Sequence, residues 1–327
     1  MITRRKVVIA LGAGAFMPLA SFAQQPVKVW RIGMLAVGSG SAAFKSNLDA
    51  LRAGLRELGY VEGKNLTIEY RWAEGNAERL PAMAAELVRL NVDLIVAPGH
   101  LAVAAASKAT STIPIVTPTS GDLVALGVAK SLAKPGGNVT GQVYFSENLI
   151  GKRIEFLKEA IPRLTRIAVL GPEGVAMSKG ATDALTAAAT SLKVAVPFFT
   201  ARSESDFESA FVAMVKQRAG ALLVYDNAIF NAYVATSADL ALKHRIPSCG
   251  ILSFAEAGGM LGYGANFVEM WRHAAVFIDK IFKGAKPGDI PIEQATKFEL
   301  IVNLKTAKAL GIKIPQSVLV QATKVIE

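Results

Sequence analysis

Cysteine is almost absent from the sequence, which contains a single one, Cys249, among 327 residues. One cysteine cannot form an internal disulfide, and because it lies in the apolar stretch Ile246–Ile251 we expect a buried thiol and not a reactive one. Histidine is nearly as scarce, since the chain has only His100, His244 and His273, without the spacing typical of metal ligands. We therefore predict no metal site and no bound cofactor.

Motifs of several common enzyme classes are also missing. The sequence contains no G-x-S-x-G nucleophile elbow, no G-x-x-x-x-G-K-[ST] phosphate loop and no zinc motif. Long basic runs are absent too, because the lysines and arginines behind the net charge of +10 are scattered along the chain. That pattern is typical of a solvated basic surface, so we predict no nucleic-acid partner.

Residues 1–23 have the features of a secretory signal peptide. A basic segment, Thr3–Lys6, precedes the short apolar run Val7–Leu19, and small residues lead to an expected cleavage site before Gln24. The arginine pair resembles a twin-arginine signal, with the general secretory route as the alternative. No cysteine comes directly after the apolar run, which argues against a lipoprotein anchor. We expect a soluble, exported protein that is periplasmic in a cell with two membranes.

The rest of the chain alternates between strand-like and helix-like segments. Hydrophobic residues make up 52% of the sequence, enough for large cores, and the length suits two domains. Strands that alternate with helices imply parallel sheets covered on both faces. We predict an α/β protein of two doubly wound, Rossmann-like lobes. The helical period is clearest at Phe44, Leu48, Leu51, Leu55 and Leu58, and the strand period at Leu66, Ile68, Tyr70 and Trp72.

The stretch Gly136–Phe145 divides this pattern near its middle. Turn residues lead into a short predicted strand, about four strand-helix alternations precede it, and the alternation then starts again. We interpret the stretch as the first crossing between two lobes whose cleft holds a ligand. Among the later segments, Met260–Ala265 is expected to be a strand that returns to the first lobe, and a helix is expected from Leu123 to Leu132.

Ligands of parallel sheets bind beyond the carboxyl ends of the strands. There, Gly38–Ala43 matches the dinucleotide fingerprint G-x-G-x-x-A between a strand and a helix, but no acid ends the second strand at the expected distance. The free amides and the hydroxyls of Ser39 and Ser41 could equally bind a carboxylate, or the segment could be a plain helix cap.

Two acids follow strand ends in the two halves of the chain. Asp122 and Asp226 could act as an acid and a base, or could pair with a ligand ammonium, and Asp122 could instead cap the following helix. His100 could reach the cleft or lie in a solvated loop, and nearby aromatic residues suit a flat apolar ligand or core packing. The candidate ligand-binding residues are Ser39, Ser41, Gly99, His100, Thr119, Ser120, Asp122, Tyr144, Phe145, Tyr225, Asp226 and Asn227.

Four longer motifs follow one another in the chain: Gly59–Asn65, Ile68–Gly75, Pro135–Gly141 and Lys297–Gly311. Together they resemble motifs of the ABC-transporter substrate-binding proteins of the tryptophan/tyrosine-binding (TrpX-like) group. The likeness runs over Val29–Glu327. It implies a type I periplasmic binding protein that delivers a small solute to a membrane permease with a cytoplasmic ATPase, with aromatic amino acids or related compounds as favoured ligands.

The resemblance also implies three hinge crossings, the second near Leu252–Gly258 and the third near Phe298. Asp226-Asn227 resembles the family's Asp-Asn pair that touches the ligand, and Asp122 matches an acid suited to an amino group. Two departures concern ligand identity: Leu123 stands where the family often has proline, and Tyr225 where threonine is common. The expected division is residues 28–142 plus 257–297 for lobe 1 and residues 143–256 plus 298–327 for lobe 2.

We therefore predict a monomeric solute-binding protein, not an enzyme, that closes around a small carboxylate-bearing solute, an aromatic or other apolar amino acid or a related compound. The alternatives are an exported enzyme with a phosphate-bearing cofactor on the Gly38–Ala43 loop and a periplasmic sensing module. If the protein binds such a solute, we expect Ser39 and Ser41 to hold its carboxylate and Asp122 and Asp226 to hold its ammonium. Its apolar body would then be enclosed by Tyr144, Phe145 and Tyr225.

Overall fold

The computed structural model describes residues 28–38, 42–144, 147–174, 177, 179–227, 230–231 and 233–327. The predicted signal peptide and the candidate residues Ser39, Ser41 and Phe145 lie outside these ranges. Within them, no helix combines the length and the apolar character that crossing a membrane requires.

The first part of the chain forms β1 (Trp30–Ala36), α1 (Ala42–Glu57), β2 (Leu66–Trp72), α2 (Leu80–Arg89), β3 (Leu94–Val96), α3 (His100–Ala109), β4 (Ile115–Ser120) and β5 (Val139–Val143). The middle forms α4 (Glu147–Ala160), β6 (Ile167–Pro172), α5 (Lys179–Leu192), β7 (Phe198–Ala201), α6 (Phe207–Lys216), β8 (Ala221–Val224), α7 (Val234–Lys243), β9 (Ser248–Gly250), α8 (Leu252–Glu256) and β10 (Leu261–Ala265). The last part forms α9 (Phe267–Phe282), β11 (Glu293–Gln294), β12 (Phe298–Asn303), α10 (Leu304–Leu310), α11 (Gln316–Leu319) and β13 (Lys324–Ile326).

These elements build two sheets, one in each lobe. The first has six parallel strands in the order β11-β5-β4-β3-β1-β2. The second has seven strands in the order β13-β12-β10-β9-β8-β6-β7, parallel except where β10 meets β12. β3, β6 and β8 are buried along their whole length, as strands covered by helices on both faces must be. The prediction of two doubly wound α/β lobes is confirmed.

Helix α9 returns from the second lobe and packs along α1 in the core of the first. Leu48, Leu51 and Leu55, which belong to the predicted inward face of α1, are buried there. Each such side chain stabilises the fold by about 1.5–3 kcal/mol when it leaves water. At the end of this interface Phe44 meets Trp271 edge to face, with ring centroids 5.3 Å apart.

The sequence suggested that the strand Leu261–Ala265 returns to the first lobe. In the structure this strand belongs to the second sheet instead. β10 lies parallel to β9 and antiparallel to β12, with Leu261 opposite Val302. Met260 and Leu261 are fully buried in the core of the second lobe, which holds the strand there. The second crossing therefore falls between β10 and α9, after the expected position at Leu252–Gly258.

The segment after β4 differs from the sequence expectation as well, because no helix extends from Leu123 to Leu132 in the described structure. The amides of Val128 and Ala129 both donate to the Leu123 carbonyl and close a turn. Gly127 has a left-handed φ of 76°, which an α-helix cannot contain. The chain then runs irregularly to β5 and the first crossing.

Candidate functional site

A cavity of about 100 Å³ lies between the lobes, beyond the carboxyl ends of the strands. Loops after β1, β3 and β4 supply its wall on the first lobe, and loops after β8 and β9 supply the wall on the second. The described lining residues are Ala36, Val37, Gly38, Phe44, Asn47, Pro98, Gly99, His100, Thr119, Gly121, Tyr144, Asp226, Asn227, Asn231, Ile251, Ser253, Phe267 and Trp271.

Asp226 carries the one carboxylate among those lining residues. Its side chain is 1% exposed. The Asn231 amide donates to Oδ1 at 3.1 Å, and the Tyr144 hydroxyl also hydrogen-bonds to the carboxylate. Burial, followed by the nearby Asp226 charge, raises the pKa of Tyr144 well above its usual value, so this phenol stays a neutral donor. Among the described residues, Oδ2 of Asp226 has no hydrogen-bond partner, which leaves an acceptor ready for a cationic group.

Behind Asp226 lies Arg153 of α4, which the sequence analysis did not single out. Its side chain is also 1% exposed, and its Nη2 lies 3.8 Å from Oδ2 of Asp226. The sequence carried a signal for it, since Arg153 falls between Ile150, Ile154 and Leu157 on the apolar face of the helix. A lone arginine on such a face needs a buried partner.

Aromatic side chains form the opposite wall. Phe44 contacts Trp271 and also meets Trp72 edge to face, with 5.0 Å between the ring centroids of Phe44 and Trp72. The ring centroids of Tyr144 and Phe267 are likewise 5.0 Å apart. Phe44, Phe267 and Trp271 line the cavity but were not predicted, because their helical spacing is also that of ordinary core residues. The wall suits a flat apolar group.

Six of the predicted residues line the cavity together: Gly99, His100, Thr119, Tyr144, Asp226 and Asn227. Two lie nearby but outside its lining. Ser120 is fully buried, and its hydroxyl has no hydrogen-bond partner in the described ranges. Tyr225 packs against the core of the second lobe. Direct contact with a ligand stays a prediction for all of them.

Asp122 is exposed and lies outside the cavity lining. Its Oδ1 accepts hydrogen bonds from the amides of Val124 and Ala125 at 2.8 and 3.0 Å. This geometry corresponds to the capping alternative, although the residue caps a turn and not a helix. The two acids, which looked equivalent in sequence, therefore have different surroundings.

Comparison with known proteins gives four related results, two from sequence and two from solved structures. A family model described as ABC transporter substrate binding protein matches residues 32–326. A curated protein of Clostridioides difficile named "Tyrosine-binding protein" is 27% identical over 282 residues, covering 85% of this chain and 81% of that protein.

Solved structures are similar over both lobes. An ABC domain of Streptococcus pneumonia in complex with L-Trp is 26% identical with a TM-score of 0.81, covering 90% of this chain and 100% of that one. A conserved domain protein of Vibrio cholerae is 28% identical with a TM-score of 0.81, covering 91% and 99%.

His100 gives a testable pH dependence. Burial lowers the pKa of His100 from its usual value, so the folded protein favours the neutral imidazole. Below about pH 6.5 the unfolded chain takes up the proton more readily, and stability is lost as the pH falls, by at most about 1.4 kcal/mol per pH unit. Urea unfolding at several pH values should show this loss in the wild type and a smaller loss in His100→Gln. Equal losses in both proteins would contradict the assignment.

Proposed function

Because the chain belongs to the family of ABC transporter substrate-binding proteins, we propose that it captures an aromatic amino acid, such as tyrosine or tryptophan, between its lobes for import. Its family consists of binding proteins of transport systems, which confirms the prediction that the chain is not an enzyme. The proposed partners are a membrane permease and its cytoplasmic ATPase. We also propose export through the signal at residues 1–23, a periplasmic location and a monomeric state.

The observation that carries the ligand proposal is a buried carboxylate facing an aromatic wall. Asp226 offers an unpartnered oxygen for an ammonium, and Phe44, Phe267 and Trp271 offer ring faces and edges. His100 is kept neutral by burial, so it does not compete for the carboxylate at neutral pH. The names of two relatives, one tyrosine-binding and one complexed with L-Trp, support the same ligand class.

The ligand carboxylate needs a separate partner, for which we propose the amino end of α1. The helix begins at Ala42, and Gly38, just before it, lines the cavity. Free amides and the helix dipole at such an end favour an anion. The expected contribution of Ser39 and Ser41 stays a prediction.

We propose that binding closes the hinge between the lobes, on the microsecond-to-millisecond scale typical of hinged domains. A TM-score of 0.81 over 90% of the chain supports a lobe arrangement like that of the L-Trp complex. Gly75 of the first lobe also meets Tyr233 of the second, since a Cβ added to Gly75 would lie 2.5 Å from the Tyr233 hydroxyl oxygen. The ligand would stabilise this closed form by contacting both lobes.

The roles of the two acids can be separated by mutation. We expect Asp226→Asn to weaken tyrosine or tryptophan binding by about 2–4 kcal/mol, because it removes the charge that pairs with the ammonium. Asp122→Ala should keep wild-type affinity and lose about 1 kcal/mol of stability with its capping bonds. Titration calorimetry measures the affinities and urea unfolding the stabilities. A large affinity loss in Asp122→Ala would contradict this assignment and support the role that the sequence suggested.

Closure can be tested at Gly75. A methyl group there collides with the Tyr233 hydroxyl, so Gly75→Ala should oppose the closed form and weaken ligand binding. The left-handed φ of 83° at Gly75 adds a backbone strain that is present in the open and the closed form alike and therefore lowers stability more than affinity. The second change Tyr233→Phe removes the colliding oxygen and should restore part of the affinity. Small-angle scattering with and without ligand should show compaction in the wild type and less in Gly75→Ala. Full compaction and unchanged affinity in Gly75→Ala would contradict closure through this contact.

A further inference from the structure

We propose that Arg153 is a positioning residue for ligand binding, which compensates the charge of the Asp226 carboxylate and holds it at the cavity wall without lining the cavity itself. The proposal rests on the proposed function, because it takes Asp226 as the partner of the ligand's cationic group. It goes beyond that function by giving a role to a charge outside the described lining of the site.

The geometry shows that the two charges depend on each other. Both side chains are 1% exposed, and the 3.8 Å between Nη2 of Arg153 and Oδ2 of Asp226 is too long for a hydrogen bond. Neither of these two atoms has a hydrogen-bond partner within the described part of the chain. A buried charge without an opposite charge is strongly unfavourable. Because the pair is an ion pair without a hydrogen bond, Oδ2 keeps its lone pairs for a second cation.

The backbone of β10 fixes the arginine. Its Nε donates to the Tyr263 carbonyl at 2.7 Å, and a Cβ on Gly264 would lie 3.2 Å from Nη2, so the glycine leaves the room that the guanidinium occupies. β10 ends at the second crossing, and α4, which carries Arg153, follows the first. The carboxylate is thus held between segments that join the lobes.

A buried carboxylate without a nearby cation takes up a proton readily. A protonated Asp226 would attract a ligand ammonium much less than the ionised form does. Arg153 is the cation beside this carboxylate in the described structure, before a ligand supplies another. Its removal should therefore make ligand affinity fall more steeply on acidification than it does in the wild type.

The groups that face the pair allow a clean test between about pH 5.5 and pH 8. Burial raises the pKa of Tyr144 well above its usual value and that of Cys249 to about 12, so neither titrates there. Burial also raises the pKa of Tyr263, whose phenol interacts with Arg153. His100 lies across the cavity, and its titration is common to all variants compared.

The first experiment measures tyrosine and tryptophan affinity by calorimetry across this pH range. Arg153→Gln keeps a donor for the Tyr263 carbonyl but removes the charge, and we expect its affinity to fall up to tenfold per pH unit as the solution is acidified. Arg153→Lys keeps the charge and should behave like the wild type. Lys152→Met is the matched control, because Lys152 is the neighbouring residue and pairs with Glu155 away from the site.

Identical pH profiles for Arg153→Gln and the wild type would overturn the proposal and leave the arginine a structural role. Absence of aromatic amino acid binding by the wild type is a different result, since it would contradict the proposed function alone. If Arg153→Gln does not fold, Arg153→Met serves in its place. Arg153→Lys must in either case show the wild-type dependence of ligand affinity on pH.

A second experiment needs no ligand. In Arg153→Gln the folded state should bind a proton at Asp226 before the unfolded chain does. Since His100 causes the same loss in both proteins, the stability of Arg153→Gln relative to the wild type, measured by urea unfolding, should rise as the pH falls toward about 5.5. The double variant Arg153→Gln/Asp226→Asn lacks the carboxylate and should lose this gain. The same pH dependence in the single and the double variant would overturn the proposal, whether or not the wild type binds an aromatic amino acid.

Discussion

The buried carboxylate of Asp226 is the constraint on which the arrangement of the site depends. It is compensated by Arg153 from α4, by Asn231 from the segment after β8 and by Tyr144 from the first crossing. Breaking a buried ion pair by removing one partner costs about 3–5 kcal/mol. These segments must therefore keep their relative positions. Because Tyr144 lies at the first crossing and α4 follows it, the hinge and the site share residues.

The two lobes contribute different chemistry to the cavity. The first supplies Phe44 and Trp271, and the second supplies Asp226 with its unpartnered oxygen. A molecule with a ring and an ammonium has to contact both lobes in order to satisfy both walls. Binding that uses both contacts favours the closed form over the open one, and differential contact of this kind is what drives hinge closure.

Local periodicity was enough to predict the fold class, because each strand and helix carries its own pattern. The sheet to which β10 belongs was not predictable in this way, since its neighbour β12 comes much later in the chain and pairs antiparallel. Asp122 and Asp226 have the same local signal after a strand end, and only tertiary burial separates the capping acid from the cavity acid. Arg153 was detectable as a charge on an apolar helix face.

The most direct test of the account is native mass spectrometry of the mature protein incubated with a mixture of amino acids, followed by denaturation to identify the released molecule. The account predicts one bound tyrosine or tryptophan per chain, recovered on denaturation. Recovery of a nucleotide, of an amino acid without a ring, or of no small molecule at all would contradict the claim that the cleft binds an aromatic amino acid.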